Sequence, residues 1–288
     1  MERSIKILIT GSTGFLGSHL IEKFIKEGHE VLVIKGYTED LLKEYSTINS
    51  FSPDIVLHLG WWGGSSYKDT NSIEQYHNNI PVNIKFLDLL NNLDSKPKFV
   101  GVGSFAEYGQ TYGPVDEAYK EDPISHYGRA KLILKEYSNR FCSDNNIPWV
   151  WLRPCFTYGP GDKKSRLIPS LIKNFSEDKD VTLDECSTTI DLLYIKDFVN
   201  LVYSLLLSSN EGVYNISSGV SNELKDIVLL LKKLINSKSK ITFDPERNRV
   251  NAQKIVLADN TKVLAATNID NLIKIEKGLQ LTIDNYEL

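Results

Sequence analysis

The chain has little cysteine, with three residues of this type among 288, and only one methionine. Cys142, Cys155 and Cys186 lie far apart and form no Cys-x-x-Cys pair. Disulfide scaffolds and structural zinc sites need closely spaced cysteines or a cysteine and histidine set, so we expect neither disulfides nor a metal site. Free thiols are typical of a reducing compartment, and the predicted location is cytoplasmic.

Long apolar runs and an excess of basic residues are also lacking. No uncharged apolar segment approaches the roughly 20 residues that a membrane helix needs, and the N-terminus enters a predicted strand without a signal-peptide pattern. Lys and Arg number 33 against 37 Asp and Glu, for a formal net charge of −4, and no basic block occurs. We therefore expect neither a membrane nor a nucleic acid as partner.

Apolar strands alternate with amphipathic helices along the chain. Strands are predicted at 5–9, 30–34, 54–59, 98–103, 148–153 and 213–216. Helices are predicted at 15–27, 72–92, 127–145, 166–176, 196–209 and 222–237, with a further short helix over 41–45. Alternation of this kind predicts an α/β fold with a doubly wound parallel sheet.

Three glycines follow the first predicted strand directly and lead into a helix. Glycine lets the backbone turn tightly and approach a pyrophosphate, and the N–H groups that begin the helix can bind this anion. The same glycines are also compatible with a turn that merely packs a helix on a strand, but their position favours a dinucleotide site. The candidate contacts are Gly11, Thr13, Gly14, Phe15, Leu16 and Gly17.

Tyr127 and Lys131 lie four residues apart in a predicted helix, so their side chains share one face. A free tyrosine has a pKa of about 10, which is too high for proton transfer near neutrality. Because a neighbouring ammonium favours the phenolate, we predict that Lys131 lowers the pKa of Tyr127 and makes it a general acid/base. Without other motifs, the pair would equally suit a solvated helix face.

Ser104 follows the predicted strand over 98–103. Ligands of open parallel sheets bind beyond the carboxyl ends of the strands, so this hydroxyl is placed to hydrogen-bond a substrate oxygen. A serine here can also simply cap the loop. The order of glycine loop, Ser104 and the Tyr127–Lys131 pair favours the functional interpretation.

With these motifs the chain resembles the extended short-chain dehydrogenase/reductases, in the group of nucleotide-sugar epimerases, dehydratases and reductases. The resemblance covers essentially all 288 residues. Besides the motifs above, it is carried by Tyr108-Gly109, Leu152-Arg153-Pro154, Tyr158 to Asp162, Asp191 to Asp197 and Asn215-Ile216.

The resemblance implies a Rossmann domain for NAD(P) over residues 1–160, to which 191–216 return. Residues 161–190 and 217–288 would form a smaller C-terminal lobe that binds a nucleotide sugar. Members commonly form homodimers, and Leu132, Ile133 and Tyr137 are candidates either for such an interface or for the core.

The resemblance extends the cofactor site to Leu59, Gly60 and Asn79, and it implies that Lys131 holds the nicotinamide ribose beside Tyr127. Members that prefer NAD carry an acidic residue at the end of the second strand, where this chain has Lys35. A lysine cannot accept hydrogen bonds from the ribose hydroxyls, whereas it attracts a 2′-phosphate. NADP(H) is therefore favoured over NAD(H), unless Lys35 points to solvent.

Trp61 and Trp62 stand where the family usually has small residues. One indole can line the nicotinamide or sugar pocket, or both can cover the core, and the sequence does not decide between these. His58, just before them, is expected to be a packed histidine rather than a metal ligand.

Two arginines are candidates for the substrate. Arg247 and Arg249 precede Asp259 by a spacing similar to that in UDP-galactose 4-epimerase, where an arginine binds the substrate diphosphate. This alignment assigns Arg249 to the diphosphate and Arg247 as a second contact, although both also suit a solvated loop. Ile190 stands where many relatives have an arginine, so one phosphate contact of the family is expected to be missing.

The residues after Ser104 limit the type of reaction that this chain is expected to catalyse. Sugar 4,6-dehydratases of this family carry an Asp-Glu pair there, whereas this chain has Phe105 and Ala106, which cannot move a proton. The leading hypothesis is an NADPH-dependent reductase of the C4 keto group of a nucleotide-linked 4-keto-6-deoxyhexose, most similar to the dTDP-sugar reductases. The alternatives are an NAD-dependent C4 epimerase that uses Ser104, Tyr127 and Lys131, and a non-catalytic NADP-binding regulatory protein.

Overall fold

A computed structural model describes residues 4–34, 43–64, 67–248 and 253–286. Its strands are β1 Lys6–Thr10, β2 Glu30–Ile34, β3 Ile55–His58, β4 Lys98–Val102, β5 Trp149–Pro154, β6 Phe156–Tyr158, β7 Val181–Leu183, β8 Thr189–Ile190, β9 Leu192–Tyr194, β10 Gly212–Ile216, β11 Asn222–Glu223, β12 Ile241–Phe243 and β13 Ile255–Val256. The central sheet has six parallel strands in the order β10-β5-β4-β3-β1-β2. The predicted α/β fold with a parallel sheet is confirmed.

The helices are α1 Phe15–Lys26, α2 Tyr45–Phe51, α3 Tyr67–Thr70, α4 Glu74–Asn91, α5 His126–Asp144, α6 Leu167–Ser176, α7 Ile195–Leu207, α8 Leu224–Ile235, α9 Thr261–Thr267 and α10 Ile275–Asp284. Short 3-10 helices occur at Phe105–Glu107 and Pro245–Arg247. The six long predicted helices are confirmed, with ends that differ by one or two residues. Part of the short helix predicted over 41–45 lies outside the described residues, and the described helix begins at Tyr45.

Hydrophobic side chains cover both faces of the central sheet. Ile7 and Ile9 of β1 belong to one cluster together with α1 and α7, whereas Leu8 between them belongs to a second cluster with α4 and α5. Successive side chains of a strand point to opposite faces, so this division places helices on both sides of the sheet. The double layer explains why the strands read as continuous apolar runs.

Small sheets lie beside the carboxyl ends of the central strands and were not predicted. β6 pairs with β9, β7 pairs with β12, and β8 lies between β11 and β13. The first hydrophobic cluster continues from Ile9 in the central sheet to Leu279 in α10, so residues of both predicted lobes share one core. The boundaries between the two lobes stay a prediction.

Candidate active site

The site lies where the strand order reverses. After β1 the chain crosses to β2 at the sheet edge, and it then returns to β3 on the other side of β1. Such a reversal opens a crevice beyond the carboxyl ends of the strands. The segments that follow β1, β3 and β4 carry the glycine loop, Leu59-Gly60 and Ser104 respectively.

The glycine loop packs tightly against the segment after β3. Gly11 has a φ of +70°, and a Cβ there would lie 2.7 Å from the backbone nitrogen of Gly60 and the carbonyl carbon of Leu59. A Cβ at Gly17 would lie 2.5 Å from the carbonyl oxygen of Gly11. Since any side chain at Gly11 would combine backbone strain with a collision, this turn requires glycine.

The start of α1 offers its backbone N–H groups to an anion. Gly14 is the N-cap residue, no described side chain caps the helix, and its first turn has no acidic residue. Uncapped N–H groups and the positive end of the helix dipole are the features that bind a pyrophosphate. The residues present therefore fit a dinucleotide. Thr13 is exposed on this loop, while Phe15 and Leu16 are half-buried.

Two helix N-caps, Ser104 itself and Ser125, fix the positions of Ser104 and Tyr127. Ser104 begins the 3-10 helix Phe105–Glu107, and its Oγ accepts the Ala106 N–H at 3.2 Å. Ser125 begins α5 in the same manner by accepting the Gly128 N–H at 3.1 Å, which places Tyr127 in the first turn. The Ser104 side chain is near enough to Tyr127 to favour its phenolate form and so to lower its pKa.

Lys131 lies one turn after Tyr127 and is buried. Its Nζ donates a hydrogen bond to the carbonyl oxygen of Val102 at 2.7 Å. Nζ also lies 3.6 Å from the ring centroid of Trp61 and 5.8 Å from that of Tyr127. Burial lowers the pKa of Lys131 to about 7, although the Glu107 carboxylate favours the charged form.

The prediction that Lys131 lowers the pKa of Tyr127 is wrong for this structure. Burial raises the pKa of Tyr127 to about 12; the hydrogen bond with Ser104 and the charge of Arg166 act in the opposite direction but are smaller. The Lys131 ammonium points to Val102 and Trp61 rather than to the phenol oxygen. Helical spacing correctly placed the two side chains on one face, but it could not show how deeply they are buried.

The turn that begins at Ser104 is held by a buried ion pair between Glu107 and Arg153. The Glu107 carboxylate accepts the Ser104 N–H at 2.8 Å and the Arg153 Nε–H at 2.7 Å, and it also accepts the Trp151 indole N–H. Both Glu107 and Arg153 are completely buried. Arg153 also bonds Glu121. Glu107 is therefore a structural residue, and the arginine of the Leu-Arg-Pro motif is its partner.

Asn79, a predicted cofactor contact, fastens the loop after β3. Its Oδ1 accepts the Trp62 N–H at 2.8 Å, and its Nδ2 donates to the carbonyl oxygens of Trp62 at 3.2 Å and of Gln75 at 2.9 Å. The side chain is completely buried. The structure thus shows Asn79 holding the Trp61-Trp62 loop, and its contact with a cofactor stays a prediction.

His58 is a buried packed histidine, as expected. Its Nδ1 lies 2.7 Å from the Thr10 hydroxyl, whose oxygen accepts the Gly60 N–H at 3.0 Å, and its Nε2 is hydrogen-bonded to Asn83. Burial lowers the pKa of His58 to about 4, so the imidazole is neutral near pH 7. The described residues contain no group of three side chains arranged to hold a metal ion.

The arginines lie in different settings. Arg247 is exposed and donates to the carbonyl oxygen of Thr182 at 3.0 Å, with Asp244 3.7 Å away. Arg249, like Lys35, lies outside the described residues. Arg166, immediately before α6, is 38% exposed, and its charge reaches Tyr127. Arg166 was not among the residues predicted from the sequence; its position directly before an apolar helix start was the available signal.

Comparisons with known proteins agree with these features. The chain is similar to CDP-abequose synthase of Salmonella muenchen, with 27% identity over 98% of each chain. It is also similar to GDP-6-deoxy-D-mannose reductase of Pseudomonas aeruginosa, with 25% identity over 98% of this chain and 97% of that protein.

Solved structures share the fold. UDP-glucose 4-epimerase of Thermotoga maritima, solved with UDP-glucose, superimposes with a TM-score of 0.90 over 98% of both chains, at 22% identity. Other solved structures of this fold hold NAD or NADPH. None of the described helices of the present chain is long and apolar enough to cross a membrane.

A family assignment follows from the extent of the match. Residues 7–217 match the NAD dependent epimerase/dehydratase family. This segment runs from β1 to the end of β10 and contains the glycine loop, Ser104, Tyr127 and Lys131. Because it is well over half of the chain, the protein belongs to the NAD-dependent epimerase/dehydratase family and is an NAD(P)-dependent enzyme of the short-chain dehydrogenase/reductase type.

Proposed function

We propose that the protein is an NADPH-dependent reductase of the C4 keto group of a nucleotide-linked 4-keto-6-deoxyhexose, with a dTDP-sugar favoured. The observation that carries this proposal is that Ser104 and Tyr127 lie side by side beyond the carboxyl end of β4, where burial raises the pKa of Tyr127 to about 12. A tyrosine that stays protonated near neutral pH is ready to give a proton to a new alkoxide, whereas oxidation of an alcohol needs the phenolate. The naming of a 6-deoxy-sugar reductase among the relatives agrees with this substrate class.

Each residue has a role in this proposal. Ser104 hydrogen-bonds the C4 oxygen and orients it, and Tyr127 then protonates that oxygen. Lys131, when charged, stabilises the phenolate that Tyr127 leaves behind. Arg166, Arg249 and Arg247 would bind the substrate diphosphate, to which the planar guanidinium is suited.

A dinucleotide would be held by the glycine loop from Gly11 to Gly17, by Leu59-Gly60 and by Asn79. Its pyrophosphate would bind at the start of α1, and Lys35 would attract the 2′-phosphate that distinguishes NADP(H) from NAD(H). When bound, the nicotinamide supplies a hydride to the C4 carbon. Tyr127 and Lys131 would line the nicotinamide side of the site, with Lys131 holding the nicotinamide ribose.

The 3-10 helix after Ser104 argues against a dehydratase. Phe105 is buried in a cluster with Tyr108, and Ala106 has no ionisable group. The next acidic residue, Glu107, is occupied by Arg153, Trp151 and the Ser104 N–H. Within the described part of this turn, no second acid/base is available for removing a proton from the sugar.

We also infer a homodimer formed through α4 and α5. These helices pack against each other, and α5 borders a groove of about 660 Å³ whose lining combines Leu132 and Ile133 with the charged residues Glu121, Asp122, Arg129 and Glu136. Ile133 is 45% exposed. An apolar side chain exposed on this helix suits a subunit interface. Tyr137, in contrast, stacks on Phe141 of its own helix.

The proposal is tested by NADPH oxidation, with NADH in parallel, against dTDP-, GDP- and CDP-linked 4-keto-6-deoxy sugars. We expect Tyr127→Phe to lower kcat by about 100-fold or more, the usual contribution of a positioned acid. Tyr112→Phe is the matched control, since Tyr112 is 82% exposed. Absence of oxidation with every sugar, together with NAD⁺ that stays bound through purification, would contradict the reductase and support the epimerase.

A further inference from the structure

We propose that Trp61 is a positioning residue, whose indole holds the Lys131 ammonium against its face and the Tyr127 ring against its edge. This inference rests on the proposed roles of Lys131 and Tyr127. The indole thereby arranges the two side chains, and stabilises the charged lysine, before any substrate binds.

The indole of Trp61 contacts both Lys131 and Tyr127. Lys131 Nζ lies 3.6 Å from the centroid of the Trp61 ring, well within the roughly 6 Å over which a cation is attracted to an aromatic face. The Tyr127 ring stands at 90° to the indole, with 6.0 Å between centroids, which is a favourable edge-to-face contact. Trp61 is thus in contact with both.

Hydrogen bonds keep the indole in this orientation. Its Nε1 donates to Gln75 Oε1 at 2.8 Å. Gln75 is completely buried, and its amide nitrogen donates to the carbonyl oxygens of Gly63 and Asp69. Asn79 also holds the backbone of the next residue, so the indole cannot turn without breaking its hydrogen bond to Gln75 in a segment whose backbone is itself fixed.

Among the described residues, the charge of Lys131 is stabilised by the Val102 carbonyl oxygen, by Glu107 and by the face of Trp61. The titratable groups that face it are Glu107 after β4, His58 on β3 and Tyr127 on its own helix. Of these only Glu107 is a carboxyl group; burial raises its pKa and the ion pair with Arg153 opposes that shift, whereas His58 is neutral and Tyr127 protonated near pH 7. Burial disfavours the ammonium, so the negative face of the indole is an important compensating interaction.

Loss of the indole should therefore change the protonation of Lys131. A cation–π contact of ordinary strength corresponds to a pKa decrease of about one unit when it is removed. The pKa of Lys131 in the wild-type structure is about 7. The charged fraction of Lys131 would then fall several-fold near neutral pH, so a step that needs the ammonium should slow several-fold there.

The first measurement is an NMR titration of the lysine Cε–Hε groups in protein without added cofactor, with Lys131→Met to assign the signal. We expect an Hε signal shifted upfield by the indole ring current. In Trp61→Leu this shift should disappear and the midpoint should fall by about one pH unit; in Trp61→Phe, which keeps an aromatic face, both changes should be smaller. An unchanged shift and midpoint in Trp61→Leu would overturn the inference.

The second measurement is the pH profile of kcat. The alkaline limb should move to lower pH in Trp61→Leu and less in Trp61→Phe. Trp62→Leu is the matched control because Trp62 is 38% exposed, and it should leave the limb in place. An equal movement in Trp62→Leu would overturn the inference. The NMR titration needs no turnover, so failure of the proposed reaction and failure of the Trp61 role are distinguishable.

Discussion

Replacement of Glu107 by glutamine should destabilise the protein strongly, although it changes only the charge of one side chain. Glutamine keeps an oxygen that can accept the Ser104 N–H, but it removes the carboxylate that pairs with Arg153 at 2.7 Å. Arg153 is completely buried, so its charge would lose its fully buried counterion. Breaking a buried pair in this way costs about 3–5 kcal/mol. Because Glu121 still bonds Arg153, we expect the lower value, about 3 kcal/mol.

The assay is urea unfolding, from which the change in the free energy of unfolding is obtained. Glu136→Gln is the matched control: its side chain is 62% exposed and pairs with Lys135, so its loss should change stability by less than about 1 kcal/mol. The double variant Glu107→Gln/Arg153→Met should be more stable than Glu107→Gln alone, because it removes the stranded charge. A loss below about 1 kcal/mol in Glu107→Gln would show that the pair does not support the turn as argued.

Two further variants test the glycine loop and the buried histidine. Gly11→Ala should lower both the melting temperature and the cofactor affinity. The control Gly28→Ala, where φ is +83° but no atom lies within 4 Å of the added Cβ, should show only the smaller cost of backbone strain. Equal losses in the two variants would contradict the argument that a Cβ at Gly11 collides with the backbone. Because the pKa of His58 is lowered to about 4, below its unfolded value, His58 contributes stability that is complete above about pH 6.5 and is lost as pH falls toward 4. Unfolding titrations should show this loss, on the order of 3 kcal/mol, in the wild type and in the exposed-site control His77→Asn, but not in His58→Asn.

The central sheet could be predicted because its signals are local. β1 and β3 are buried on both faces, so each reads as an apolar run. β8, β11 and β13 were missed because each has only two residues, which is too short to show an alternating pattern. α9, with seven residues, was missed for a similar reason. Such elements form only where longer ones provide a surface.

The candidate site was partly predictable because some of its signals are also local in the sequence. Gly11 and Gly17 are recognisable because a tight turn limits residue type directly. Ser104 was expected beyond the carboxyl end of its strand, and in the structure it lies near enough to Tyr127 to lower the pKa of the phenol. Their chemical roles stay predictions, as do those of Lys35 and Arg249.

Local sequence was thus sufficient for the fold class, the glycine turn and the helical spacing of Tyr127 and Lys131, since each depends on a few neighbouring residues. Long-range packing was needed for the properties that govern proton transfer. Tyr127 is made less acidic by burial, and Lys131 rests on an indole that follows a different strand. Burial and electric fields are produced by segments distant in the chain, and no spacing of neighbouring residues contains that information.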